Sequence, residues 1–333
     1  MKTGSTLLAL TALLLAAIIV AASVGPFRIP PLTVLTTIVA RLMGDVDAGP
    51  VQTVLFQIRL PRILAAALVG AALAAAGAAY QNVFRNPLVS PDILGVSTGA
   101  GLGAILGILF GLPVVAIQLS GFAGGLVTVL LVGAIARSMR GGGDALVLVL
   151  SGIVISALAG AGISLAKILA DPYDQLPAMT FWLLGSLAGV KAGDLAVAAP
   201  VIVLGIIPLV LLRWRIGVLS MGEDEALSLG VDVRRMRLVV IAATTLITAS
   251  AVAISGVIGW VGLMAPHMAR LLVGPRFDRL LPASLLLGAA FMVAVDTIAR
   301  TAARVEIPLG VLTAVIGGPI FVWLLARYRR RAA

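Results

Sequence analysis

Residues 3–27, TGSTLLALTALLLAAIIVAASVGPF, carry no charged side chain. A helix crossing a bilayer needs about 20 consecutive apolar residues, whereas the core of a signal peptide needs only roughly 7 to 15. Lys2 and the Ala21-Ala22-Ser23 run imitate the flanks of a cleavable signal, but the length of the run favours a first membrane-spanning helix. Outward from this stretch the texture persists. Of 333 residues only 11% are charged and the mean hydropathy is +1.15, far from the roughly 25% charged residues of a soluble domain. Further apolar stretches lie near residues 63–80, 92–110, 114–134 and 145–168, then 194–212, 238–255, 258–272, 280–300 and 308–326. With the first, near 6–24, they make ten. The expected fold class is an all-α polytopic membrane protein, a single transmembrane domain over 1–333 with about ten spanning helices and short cytoplasmic helices between them.

The formal net charge is +10. The basic residues sit between apolar segments and form no stripe, so they speak of topology and not of nucleic acid. With both termini in the cytoplasm, sixteen of the 24 lie inside, among them Lys2, Arg140 and Arg327, Arg329, Arg330 and Arg331 near the C-terminus. Arg28, Arg41, Arg59, Arg62, Lys191, Arg300 and Arg304 then lie outside, an asymmetry that fits the positive-inside rule. Cysteine is absent and His267 is the sole histidine, which leaves no ligand set for a naked transition metal. A metal that passes must pass wrapped.

Small-residue runs, Gly70 to Gly77 and Gly99, Gly101 and Gly103, predict close helix packing in lipid. Two external segments exceed simple turns: Gly25 to Arg59, and a broken-helix or re-entrant segment at about 171–193, where Asp171-Pro172 and Leu176-Pro177 forbid a continuous helix. Irregular backbone at that depth should line a cavity. The longest cytoplasmic loop, about 213–237, reads as two short helical pieces. Glu223, Asp224 and Glu225 suit a helix N-terminus, Gly230 a C-terminal cap, and Asp232 the N-cap of the next helix. Such surface helices could dock another protein, or simply connect two spans in solvent.

Outside, Arg59 and Arg62 flank Leu60-Pro61, and Arg300 and Arg304 lie one helical turn apart. Asp296 can neutralise Arg300 at i,i+4, leaving unpaired guanidiniums for the carboxylates of an acidic partner or for lipid phosphate. Three other patterns carry less. Gly95-Val96-Ser97-Thr98-Gly99 matches a serine-hydrolase elbow and could call on His267, but no strand precedes it, and glycine is abundant at 37 residues. Gly99 to Gly103 lacks the Lys-Ser/Thr ending of a nucleotide loop. Lys167 and Asp296, the candidate charges of an ion-coupled transporter, have local partners expected in Asp171 and Arg300.

Taken together, Ile58-Arg59-Leu60-Pro61-Arg62, the Gln81–Gly95 turn, Trp182-Leu183-Leu184-Gly185-Ser186, Leu229-Gly230-Val231, Gly262–Arg270, Asp296–Arg300 and Glu306-Ile307-Pro308-Leu309-Gly310 resemble the FecCD, or type II, permease family of ATP-binding-cassette importers for iron-siderophore, haem and cobalamin. The resemblance implies a homodimeric permease in a bacterial inner (plasma) membrane, served by two cytoplasmic ATPases and an external substrate-binding protein. ATP would be used by the ATPase partner, with no cofactor and no catalytic residue on this chain. It further implies that Arg59, Arg62 and Arg300 meet acidic residues of the binding protein, to which helical spacing adds Arg304. Glu223, Asp224, Glu225, Ala226, Leu227, Leu229 and Gly230 match the ATPase-coupling helix, and Thr180, Trp182 and Ser186 are candidates for the pathway. An oxyanion such as molybdate stands as the alternative cargo within the same family.

Overall fold

The computed structural model describes residues 3–44, 49–139 and 145–332, with side-chain surroundings described to residue 324. Lys2 and Arg140 of the charge pattern lie outside the described residues, as do the side chains of Arg327, Arg329, Arg330 and Arg331. Among the described residues every regular element is helical. In lipid this follows directly, because a helix satisfies its own backbone polar groups where no water can.

The chain runs through α1 (Thr3–Ser23), α2 (Pro31–Leu42) and α3 (Pro50–Gln52). Next come a π-helical stretch (Thr53–Arg59) and α4 (Leu60–Val83), then a 3₁₀ turn (Pro91–Leu94), α5 (Val96–Leu109), α6 (Val114–Ser138) and α7 (Ala145–Leu169). It continues through α8 (Gln175–Leu184), α9 (Ala192–Leu211), α10 (Arg213–Leu219), α11 (Glu223–Ser228) and α12 (Val233–Ser255). It ends with α13 (Val261–Val273), α14 (Phe277–Ala299) and α15 (Leu309–Ala332). Seven helical stretches among the described residues are long and apolar enough to cross a membrane: α1, the unbroken run Pro50–Val83, α6, α7, α9, α12 and α14. The expected spans near 92–110, 258–272 and 308–326 fall on shorter apolar helices, α5, α13 and the described part of α15.

Two of the expected boundaries move for local reasons. The span placed at 92–110 begins only at Val96, because Gly95 takes a left-handed φ of +77° and ends the 3₁₀ turn. The Asp92 carboxylate then accepts from the Ser97 amide at 2.9 Å and serves the free amides of α5. The span placed at 63–80 is the end of a 34-residue helix that starts at Pro50 and passes through a π stretch ending at Arg59.

The interior is built on α4, α12 and α14, whose apolar windows are 78%, 72% and 61% buried, against 22% for α1, α7 and α9. Small residues allow this. Gly70 of α4 lies on the Gly288 backbone of α14, and Gly77 on that of Gly262 in α13, where a Cβ would overlap backbone atoms. Gly99 and Gly103 of α5 meet Thr128, Gly124 and Ser120 of α6 in the same way. Without a hydrophobic drive between helices in lipid, such backbone approach supplies the packing energy. The buried hydroxyls of Thr244 and Thr245 are satisfied within α12, donating to Val240 O at 2.7 Å and Ile241 O at 2.6 Å.

Candidate functional site

Three regions carry chemistry: an arginine cluster at one end of the bundle, a break in the helices within it, and the α10–α11 elbow at the other end.

The arginine cluster is largely spent inside the protein, which corrects the expectation of unpaired guanidiniums. Arg62 donates from Nε to Asp296 at 2.9 and 3.1 Å and from its two terminal nitrogens to Glu306 at 2.7 and 3.0 Å. Asp296 therefore has Arg62 as its closer partner, with Arg300 at 3.7 Å. Arg59 and Arg300 turn to α1. Arg59 donates to the carbonyls of Ala22 and Phe27, and Arg300 to those of Ala21 and Val24. Two cations thus serve the Ala21 and Ala22 carbonyls that the end of α1 leaves open, where the helix dipole also favours positive charge, and those of Val24 and Phe27 just beyond it. Of the four arginines only Arg304 is exposed and without an ion pair among the described residues. Glu306, which closes the arginine cluster by pairing with Arg62, is not singled out as a site residue by the sequence. In the sequence it stands only within Glu306-Ile307-Pro308, and the sole local signal is an acid two residues after Arg304. Asp171, expected to pair with Lys167, instead accepts from the amides of Tyr173 and Asp174 at 2.9 Å.

Within the bundle, α7 stops at Leu169 and the short α8 follows, anchored at its start by Gln175 Nε2 donating to Leu109 O at 3.0 Å. Gly185, at φ +74°, ends α8, and Gly256, at φ +68°, ends α12. The broken ends meet there. Ser186 N donates to Ser255 O at 2.8 Å, and Leu309 N at the start of α15 donates to Gly185 O at 3.0 Å. A Cβ on Gly256 would collide with the Trp182 carbonyl, so the approach depends on glycine. Beside this junction opens a cavity of about 470 Å³ lined by Phe181, Trp182, Ser186, Gln118, Ile254 and Ser255 among others, with no charged side chain. Of the three pathway candidates it contains Trp182 and Ser186. Thr180 is absent from the lining, and its hydroxyl donates to Leu176 O at 2.8 Å.

At the opposite end, α11 begins at Glu223, Gly230 takes φ +73°, and Asp232 accepts from the Arg235 amide at 3.0 Å. Glu223 pairs with Arg237 at 2.6 Å and Ala226 is fully buried, so these two hold α11 to the bundle. Asp224, Glu225, Leu227, Leu229 and Gly230 are exposed, Leu227 at 61% and Leu229 at 50%. Acidic and large apolar side chains therefore share one protruding surface.

The elbow-like Gly95–Gly99 sequence is a packing element. Gly99 lies against Thr128, and no hydrogen bond joins Ser97 to His267 among the described residues. His267 stacks edge-on against Phe321 at 6.3 Å.

An all-helical bundle with seven stretches long and apolar enough to cross a membrane has the fold of a membrane transporter. The FecCD transport family model matches residues 13–327, and the chain belongs to that family. An iron chelatin transport system permease protein of Helicobacter pylori is 37% identical over 285 residues, 85% of each chain. The molybdate import system permease protein of Haemophilus influenzae is 38% identical over 285 residues, 85% of this chain and 84% of that one. A solved structure of an inward-facing metal-chelate type ABC transporter superposes with a TM-score of 0.87 at 37% identity, covering 97% of this chain and 99% of that chain.

Proposed function

We propose that this chain is the permease subunit of an ATP-binding-cassette importer that carries a metal chelate, such as a ferric siderophore, haem or cobalamin, into a bacterial cytoplasm. The family match over residues 13–327 carries this reading. In it the chain spans the inner membrane ten times, with α5, α13 and α15 completing the seven longer spans and both termini inside. Two copies form the pathway between them and work with two ATPases and an external binding protein.

The three regions then take roles. The junction of α8, α12 and α15 borders the pathway, where interrupted helices can shift against each other without breaking a continuous span. The exposed face of α11 rests on the ATPase through Leu227, Leu229, Asp224 and Glu225, while Glu223 and Ala226 transmit its movement to α12. At the other end Arg304 meets the binding protein directly. Arg62 is reached only by a carboxylate that replaces Glu306, and Arg59 and Arg300 contribute by holding α1.

Molybdate is the second reading, favoured by the Haemophilus relative. A cavity without a charged side chain suits a bulky chelate better than a small dianion, which needs cationic or amide donors once stripped of water. ATP-driven uptake into proteoliposomes holding this protein, its ATPase and its binding protein tests both. Uptake of a chelate and not molybdate supports the first reading, selective molybdate uptake replaces it with the second, and uptake that proceeds without the ATPase overturns the importer assignment.

A further inference from the structure

A second cavity, of about 670 Å³, is cut into the bundle between α6, α9 and α12, and it shares no lining residue with the cavity at Trp182. Its floor is α12, at Ala242 and Leu246, and its walls are α6 and α9, at Leu130, Gly133 and Leu204. Leu130 and Leu204 are more than 60% exposed, so these walls are not covered by the chain itself. Among the described residues the polar groups in the lining are Thr245 and Arg137. The Thr245 hydroxyl is spent on Ile241 O at 2.6 Å. Arg137, in the last turn of α6, donates from Nε to Gly133 O at 3.0 Å, and its guanidinium makes no ion pair among the described residues.

The dimensions are those of one leaflet. From Leu126 to Arg137 the α6 wall rises about 16 Å at 1.5 Å per residue, close to half of a hydrocarbon core roughly 30 Å thick. The groove is thus an apolar slot that ends at a cation. Other cations gather at the same end: Arg234 lies one turn before the groove residue Leu238, and exposed Arg213 and Arg215 flank exposed Trp214 just beyond α9. An exposed tryptophan among arginines is the composition of a membrane interface. Symmetric pairing of two copies across this face would set the cationic rim against itself.

We propose that the groove between α6, α9 and α12 binds an anionic glycerophospholipid, an acyl chain against Ala242 and Leu246 and the phosphate on Arg137, in the leaflet at the α11 end. The inference needs only a membrane-embedded chain and is independent of the cargo.

The test uses the full-length protein in mild detergent, offered dioleoyl phosphatidylglycerol or dioleoyl phosphatidylcholine, with bound lipid counted by native mass spectrometry. Wild type should retain the anionic lipid roughly five-fold over the zwitterionic one. Arg137→Gln should reduce the anionic lipid to the zwitterionic level at an unchanged unfolding temperature. Ala242→Trp, at an exposed floor position, should reduce both lipids several-fold. Equal retention of the two lipids by wild type, undiminished anionic lipid on Arg137→Gln, or undiminished lipid on Ala242→Trp would each overturn the site. So would an Ala242→Trp protein that changes from dimer to monomer, which assigns the groove to a contact between copies.

Discussion

Arg62 and Asp296 stand 234 residues apart in the chain and meet at 2.9 Å, with side-chain exposures of 11% and 2%. This pair ties the start of α4 to the end of α14, and Glu306 extends it to the segment leading into α15. A buried carboxylate facing two guanidiniums is costly to remove, because Arg300 stays behind without its counter-charge and Arg62 keeps only Glu306.

Asp296→Ala should therefore lower stability by about 3–5 kcal/mol, read as a fall in unfolding temperature and in folded yield. The double variant Arg62→Leu/Asp296→Leu should recover none of that loss, since it leaves Glu306 as well as Arg300 without an ion-pair partner. A single variant as stable as wild type would show that the pair does not hold the bundle.

Gly70→Ala places a Cβ on the Gly288 backbone and should cost on the order of 1–3 kcal/mol through forced separation of α4 and α14. Gly189→Ala, where a Cβ meets nothing within 4 Å, should be nearly neutral. Thermal unfolding of the two proteins side by side checks the contrast.

At the arginine end, the division between open and engaged side chains predicts different phenotypes. Arg304→Glu should weaken binding-protein docking several-fold with the fold intact, since Arg304 is exposed and makes no ion pair among the described residues. Glu306→Gln should strengthen docking by freeing Arg62. Arg59→Gln should instead loosen α1, seen as faster proteolysis near Phe27, because its carbonyl partners lose their donor. Equal docking by wild type and Arg304→Glu would remove that residue from the interface.

On α11, Leu227→Asp with Leu229→Asp should abolish co-purification of the ATPase while leaving unfolding unchanged, because both side chains are exposed. Glu223→Ala should act differently, lowering stability modestly through the lost Arg237 pair at 2.6 Å. Retention of the ATPase by the double aspartate variant would place the contact elsewhere.

Within the chain, local information reached far. The long apolar helices, the cap at Asp232, the left-handed turn at Gly230 and the break after Leu169 were legible, because hydropathy, capping and proline geometry act over a few neighbouring residues. Even the glycines of α4 and α5 announced close packing, though not the partners they would meet. The fate of the charges was not legible. Apart from the i,i+4 pair of Asp296 with Arg300, the arginines read as an open surface until α1, α4, α14 and the segment before α15 came together. Only then did Arg59 and Arg300 find carbonyls of α1, and Arg62 find Asp296 and Glu306. Trp182 and Ser186 likewise joined Ser255 only through the meeting of α8 with α12. What the sequence alone determined is the all-helical membrane class, the long apolar stretches and local caps such as that at Asp232. Which polar groups are consumed inside and which stay open was decided by tertiary structure, because a charge in a low-dielectric interior takes whichever partner folding brings near, however distant in the chain.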